Sequence, residues 1–350
     1  MTEEQDLLSA TTRDILTVPN TSDSQVDAMW PSTTWTALDR AGLTSVGFAD
    51  PRGGSGGTLG DVATLVFEVG RSHSKVPLPE TVMFSSWLSA EANWAWSGGA
   101  ETVCIADGDE LEIRRIGERL YLKGSVASVP WARAAERVTL VANVDGDTTL
   151  IALKPEEFKV QFGENLAGEP RDTLILESIL GPQRCHRSEM DIELVRLRGA
   201  LMRAVASVGA MCAIFELTSK FVNQREQFGR PIEKFQAVQH LLARLGEEVS
   251  ASTSCVSAAV GAVERGTGTF EAMCAIVKAS QSATLISRIA HQVHGAIGTT
   301  TEYPLHLFTR RLWCWKSEYG SEAMWGRAIS NHVRNQSDDA SLWSVLTDNG

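Results

Sequence analysis

The carboxy-terminal half of the chain carries apolar residues at helical spacing in four successive stripes, and this narrows the folds open to it. Leu201, Ala204, Val205, Val208, Cys212 and Phe215 recur at i, i+3 and i+4. Val238, Leu241, Leu242, Leu245 and Val249 do the same, as do Met273, Ile276, Val277, Leu285, Ile286 and Ile289 with one break. Leu307, Phe308, Leu312, Trp315 and Tyr319 begin a fourth stripe. Such helices must bury their stripes against one another, so residues 183–350 are expected to form a four-helix bundle.

Upstream the texture changes twice. Trp30, Trp35, Leu38 and Leu43 suggest one helix, residues 59–70 a second that Gly70 ends, and Val82 to Trp96 a third. Short β-like runs follow at 102–105, 111–113, 120–122, 138–142 and 149–153. Asp107-Gly108-Asp109 and Asp145-Gly146-Asp147 supply turn residues between them. The expected architecture is α+β, with an N-terminal helical domain over 1–97, a small middle β domain over 98–182 and the bundle over 183–350. The polar stretch after about Asn335 is expected to lie outside the bundle.

Composition removes several function classes. Lys and Arg number 32 against 43 Asp and Glu, a net charge of −11. The tightest basic clusters are pairs, Arg114-Arg115 and Arg310-Arg311, so no nucleic-acid surface is expected. No run of about 18 apolar residues suggests a membrane span. The first residues are acidic and lack an apolar signal core, and a cytoplasmic location is expected. The six cysteines stand singly with no C-x-x-C pair, which suggests reduced thiols and no metal site. Ten tryptophans against three tyrosines are read as large filler for core and interface.

Familiar loop motifs fail on inspection. Gly54-Ser55-Gly56-Gly57-Thr58-Leu59 ends in leucine where G-x-G-x-x-G needs glycine. Gly53-Gly54-Ser55-Gly56-Gly57 matches G-x-S-x-G, but Asp50-Pro51-Arg52 leads in where a nucleophile elbow needs a hydrophobic strand. Neither a P-loop nor an H-E-x-x-H motif occurs.

Two later segments are more informative. Arg225-Glu226-Gln227-Phe228-Gly229-Arg230-Pro231-Ile232 is followed by Phe235-Gln236-Ala237-Val238-Gln239. Arg225 offers a planar fork suited to a pyrophosphate, Phe228 a surface for a flat ring, and Gln236 an amide. A connector with a surface arginine explains the same spacing. Gln292-Val293-His294-Gly295-Ala296-Ile297-Gly298 leads to Thr301-Glu302-Tyr303-Pro304, where small residues let a ligand approach backbone or simply end a helix. Taken together, R-x-x-F-G-x-x-I, F-Q-x-V-Q, Q-x-x-G-x-x-G and T-E-Y-P resemble the acyl-CoA dehydrogenase family. Arg171-Asp172-Thr173-Leu174-Ile175-Leu176 looks like the strand that closes that family's β domain. The helical–β–helical order fits roughly residues 30–335.

The resemblance implies FAD bound at a subunit interface without a Rossmann fold. Arg225, Phe228 and Gln236 would contact FAD from one subunit. Gln292, Gly295 and Ala296 would contact its adenosine diphosphate part from the neighbour, and Ser321 would touch the flavin. The implied reaction is α,β-desaturation of an acyl-CoA substrate: a carboxylate removes the α-proton and the β-hydrogen leaves as hydride to the flavin. Electrons then pass to an electron-transfer flavoprotein. Arg310 and Arg311 are candidates to offset the charge of the CoA ester.

The sequence departs from that pattern where the base belongs. The family's Y-E-G-T stretch falls on Glu318-Tyr319-Gly320-Ser321, which puts Tyr319 at the base position. The alternative base position aligns near Gly199. Glu318 and Glu322 are the nearby carboxylates. On a helix the first would point about 100° away from Tyr319, and the second would lie one turn on. No equivalent of T-E-x-x-x-G-S-D is found, and Ser125 to Trp131 occupies its neighbourhood. Three alternatives stand: a subunit of a heteromeric enzyme paired with a second acyl-CoA dehydrogenase-like chain, a homo-oligomer with an unusual base, or a non-catalytic partner subunit of the same fold.

Overall fold

A computed structural model describes residues 2–17, 32–106 and 110–336. Trp30, the Asp107-Gly108-Asp109 turn and nearly all of the polar tail lie outside the described residues. The residues form two compact units: Met1–Val69 with Ser74–Arg198, and Gly70–His73 with Gly199–Gly350.

The first unit begins with helices α1 (Glu3–Thr17), α2 (Ser32–Arg40) and α3 (Leu59–Arg71), whose last turn belongs to the second unit. α1 is absent from the sequence reading because its apolar pattern is poor, and Leu7 is 68% exposed. Polar bonds hold it instead. Ser9 and Arg13 donate to the buried carboxylate of Glu68 at 2.7 Å each, and Gln5 donates to Asp61. α2 buries Trp35 and Leu38 as expected, and Leu43 follows in the turn beyond it. α3 runs through Gly70 to Arg71. A π-helical turn over Glu80–Ser85 leads into α4 (Ser86–Glu91). The third expected helix therefore stops short of Trp94 and Trp96, because Asn93 takes a left-handed backbone (φ +58°).

Strands β1 (Glu101–Ile105), β4 (Arg137–Val144), β5 (Asp147–Leu153) and β8 (Cys185–Ser188) form one sheet in the order β1-β4-β5-β8. Strands β2 (Leu111–Ile116), β3 (Arg119–Pro130), β7 (Arg171–Leu180) and β6 (Phe158–Gln161) form the other, in the order β2-β3-β7-β6. Among these strands only β1 and β4 pair in parallel. Alternate side chains of both sheets meet in one core, with Leu120, Leu122, Leu174 and Leu176 against Val138, Leu140, Ile151 and Leu153. The two strands missed in the sequence, β6 and β8, are four-residue edges whose patterns carry too few apolar residues to stand out. β3 is bulged between Val126 and Val129, and Ser128 and Trp131 take positive φ, so Ser125 to Trp131 is the kinked end of a strand.

β1 is buried over Glu101–Cys104, and the Glu80–Ser85 turn packs against it. Thr81 donates to the Glu101 carbonyl and Ser85 to its carboxylate. At the same register position Arg137 pairs with Glu101 at 2.6 Å and donates to Ser89 and the Ala95 carbonyl. A buried carboxylate and guanidinium survive here because their hydrogen-bonding capacity is met nearly all round.

The second unit is helical. α5 (Ile192–Gln224) starts in the first unit and continues into the second, followed by the hairpin β9 (Glu226–Gln227) and β10 (Arg230–Pro231). Then come α6 (Gln236–Glu264), α7 (Thr269–His294), α8 (Leu305–Trp315) and α9 (Glu322–Gln336). The α+β class and the helical C-terminal region match expectation, and α7 is continuous where its stripe looked broken. The fourth stripe instead divides into α8 and α9, because Gly320 at φ +110° cannot continue a helix. α5 contains a stretch long and apolar enough to cross a membrane, yet 78% of that stretch is buried within the protein, as befits the central helix of a bundle.

Candidate active site

The site assembles from three connections in the helical unit. The first joins α5 to α6. Chain reversal is completed by Phe228 (φ +53°) and Gly229 (φ +77°), both left-handed, between the paired residues Gln227 and Arg230. The Arg225 carbonyl accepts the Ile232 N–H and closes the turn. Phe228 is held 91% exposed at its tip, in a conformation an L-residue adopts only at a cost of roughly 1–2 kcal/mol. Phe235 lies edge-on to it at 6.0 Å, and Arg230 lies over the Phe235 ring at 4.4 Å. Arg225 and Gln236 are exposed.

The second connection joins α7 to α8. Gln292, Gly295 and Ala296 are all exposed. Gly295 sits at φ +62° with open space where a side chain would be, so its backbone is bare. Behind this loop His294 is buried, with Phe221 stacked on it at 4.4 Å and Tyr303 at 4.9 Å. Because Phe221 lies one turn before Arg225, the stack brings the two sequence segments to the same end of one chain.

The third connection, between α8 and α9, holds the position where a base was sought. Tyr319 is buried, and its ring lies against Gly199: a Cβ on Gly199 would come within 2.7–2.9 Å of ring carbons. The two alternative base positions therefore meet, one as an aromatic ring and the other as the hydrogen that makes room for it. The helical offsets used to place the nearby carboxylates do not apply, since Tyr319 lies in the break and not on a helix. Glu318 is committed elsewhere: Arg203, 4% exposed, donates to it at 2.6 Å. Glu322 is exposed in the first turn of α9 and accepts from Gln281 at 3.0 Å. Ser321 accepts the Met324 N–H at 3.2 Å and so caps α9. A side chain at Gly320 would meet the Trp325 indole nitrogen at 2.8 Å, on a backbone already at φ +110°.

A small pocket opens beside this break, lined by Ala200, Arg203, Ala204, Ser207, Ala279, Ser280 and the rings of Trp315 and Tyr319. Arg203 lies 5.9 Å from the Trp315 ring and 6.0 Å from that of Tyr319, a cation held between aromatic faces and a carboxylate. Ile276, Lys316 and Gly320 also line the pocket. Arg311, a candidate for the CoA ester, is 2% exposed, donates to the Ser72 carbonyl at 2.7 Å and lies against Trp315. It serves the interior and not an anionic ligand, whereas Arg310 is exposed. Among the described residues no cluster of His, Cys, Asp or Glu could hold a metal ion.

Two sheets of a small β region joined to a helical bundle, with the hairpin and the bare loop at one end of the helices, define an acyl-CoA dehydrogenase fold. The family model for "Acyl-CoA dehydrogenase, C-terminal domain" matches residues 197–333. Acyl-CoA dehydrogenase IpdE2 of Mycobacterium tuberculosis is 26% identical over 296 residues, which span 81% of this chain and 81% of that protein. A chain of the ChsE4-ChsE5 complex from the same organism superposes with a TM-score of 0.87 at 19% identity, covering 97% of this chain and 99% of that one. A chain of the Tcur3481-Tcur3483 steroid ACAD gives a TM-score of 0.82 at 23% identity over 96% and 99%. Over residues 197–333 the chain matches the acyl-CoA dehydrogenase family, and the fold of the whole is that of the solved acyl-CoA dehydrogenases.

Proposed function

We propose that the chain is one subunit of a flavin-dependent acyl-CoA dehydrogenase that desaturates an acyl-CoA thioester, and that the catalytic base stands in a second, similar chain. One observation carries the division of labour: Tyr319 is packed on Gly199, so neither base position offers a carboxylate. A positioned base contributes about 10²–10⁴-fold to such a step, and a chain without one gains from a partner that has one. Glu318 is already neutralised by Arg203. The relatives support the same reading, since the ChsE4-ChsE5 structure is of a two-protein complex.

The donor set fits FAD. Arg225 supplies a cationic fork, Phe228 a bare aromatic face, Gln236 and Gln292 amides, and Gly295 and Ala296 an uncovered backbone beside them. Ser321 keeps a hydroxyl proton to donate while its oxygen caps α9. The family resemblance implies that these groups come from two subunits. Their approach within one chain favours a different arrangement, in which both segments reach a single FAD lying across the interface with a partner. The exposure of every one of them is the state expected of a surface that a partner completes. When bound, the flavin accepts the hydride; the residues here bind and orient it and exclude water.

An electron-transfer flavoprotein is the proposed acceptor and the cytoplasm the proposed location; six cysteines without a disulfide suit a reducing compartment. We keep the division 1–97, 98–182 and 183–350 as a proposal about folding domains, to be tested by limited proteolysis. The function itself is tested by expressing the chain alone and with an adjacent paralogue, then measuring bound flavin and turnover of acyl-CoA thioesters. Flavin and turnover only in the paired complex support the proposal. Turnover by the chain alone, lost on Glu322→Gln, favours a homo-oligomer with an unusual base.

A further inference from the structure

We propose that His294 is a positioning residue for the flavin site, a clamp that fixes the backbone carrying Arg225 relative to the loop of Gly295 and Ala296. The inference rests on the flavin reading above. His294 ends α7 and is bonded directly to Gly295, so a change in its backbone passes straight into that loop. Its Nδ1 faces the Ala290 carbonyl at 2.8 Å. A carbonyl only accepts, so Nδ1 carries the proton. Nε2 is then the acceptor and takes the Tyr303 hydroxyl proton at 3.1 Å. One tautomer is thus fixed from both sides.

The ring itself joins three segments. Phe221 stacks on it with planes 27° apart and meets Tyr303 edge-on at 5.9 Å. The Phe221 carbonyl accepts the Arg225 N–H at 2.9 Å, which ties the arginine to the last turn of α5. Gly295, Arg225 and the Thr301–Pro304 stretch therefore all hang on one buried imidazole. Both groups that would grip the cofactor's diphosphate half lie one short step from it.

The test measures binding of FAD, ADP and FMN by calorimetry to the apo-protein in its flavin-binding assembly, with melting temperature recorded for each variant. His294→Ala is expected to weaken FAD and ADP about tenfold or more and to leave FMN unchanged, because FMN lacks the adenosine monophosphate part. Tyr303→Phe keeps both rings and removes one hydrogen bond, and is expected to weaken FAD about twofold to tenfold; it serves if His294→Ala does not fold. His332→Ala removes another stacked histidine of the same unit, 5.2 Å from Phe270, and is expected to lower the melting temperature without changing FAD affinity. Wild-type FAD and ADP affinity in both His294→Ala and Tyr303→Phe overturns the clamp, as does an equal loss in His332→Ala. A wild-type protein that takes up no FAD in any assembly overturns the flavin reading, and the clamp falls with it.

Discussion

Gly199 and Tyr319 make a pair whose chemistry is decided by one missing methyl group. An added Cβ would sit 2.7 Å from the ring, closer than any packed carbon tolerates. Gly199→Ala should therefore destabilise the protein by about 1–3 kcal/mol through overpacking. In a Tyr319→Ala background the same change should cost close to nothing, and denaturant melts of the four proteins would read the coupling. Glu318 tells the same story in charge. Glu318→Ala strips the ion pair from a buried arginine and should cost about 3 kcal/mol, while turnover of the folded assembly persists. A melting temperature held at the wild-type value with turnover abolished would instead make Glu318 the base.

At the scale of elements, what could be read from the sequence follows how each element earns its stability. α5, α6 and α7 stabilise by burying stripes, and stripes are visible as spacing. α1 is held by a carboxylate 59 positions downstream in a chain whose sequence order gives no hint of it. Glu68→Ala should release it at a local cost of roughly 1.5–3 kcal/mol, the worth of hydrogen bonds to a charged group, seen as faster amide exchange over 3–17 with the sheets unaffected. The cofactor segments were legible because glycine, proline and arginine recur there in a fixed pattern. Their proximity was not, since it depends on the Phe221–His294 stack, a contact between residues 73 positions apart that no periodicity encodes. Tyr319 was placed on a helix for a similar reason: the apolar stripe runs on through it, and only the left-handed backbone of Gly320 breaks it. The end of α7 also carries a pH dependence. Burial holds His291 below the usual histidine value of 6.5, with His306 as a second cause. His294 is lowered first by burial; the bond to the Ala290 carbonyl opposes this and His291 adds to it. A histidine whose folded pKa is depressed is neutral in the native state, so its contribution is complete above 6.5 and lost as pH falls below that value. The melting temperature should fall between pH 7 and 5, and His294→Gln should flatten that slope.

For the whole molecule, what the chain lacks matters as much as what it carries. The helical unit exposes a set of groups suited to FAD and fills the base positions with a ring and a glycine. In the function proposed above a second chain supplies the base and completes these surfaces. Apolar exposure fits that view: Phe228 at 91% and Ile297 at 45% stand beside the groups proposed to bind the cofactor. A lone protomer would leave both in water. The most direct measurement is the visible flavin absorption and native mass of the chain purified alone and co-purified with an adjacent paralogue. A flavin band and acyl-CoA turnover are expected in a complex containing both chains, with little of either in the chain alone. A flavin-loaded homo-oligomer of this chain that turns over acyl-CoA without any partner would contradict the proposed function.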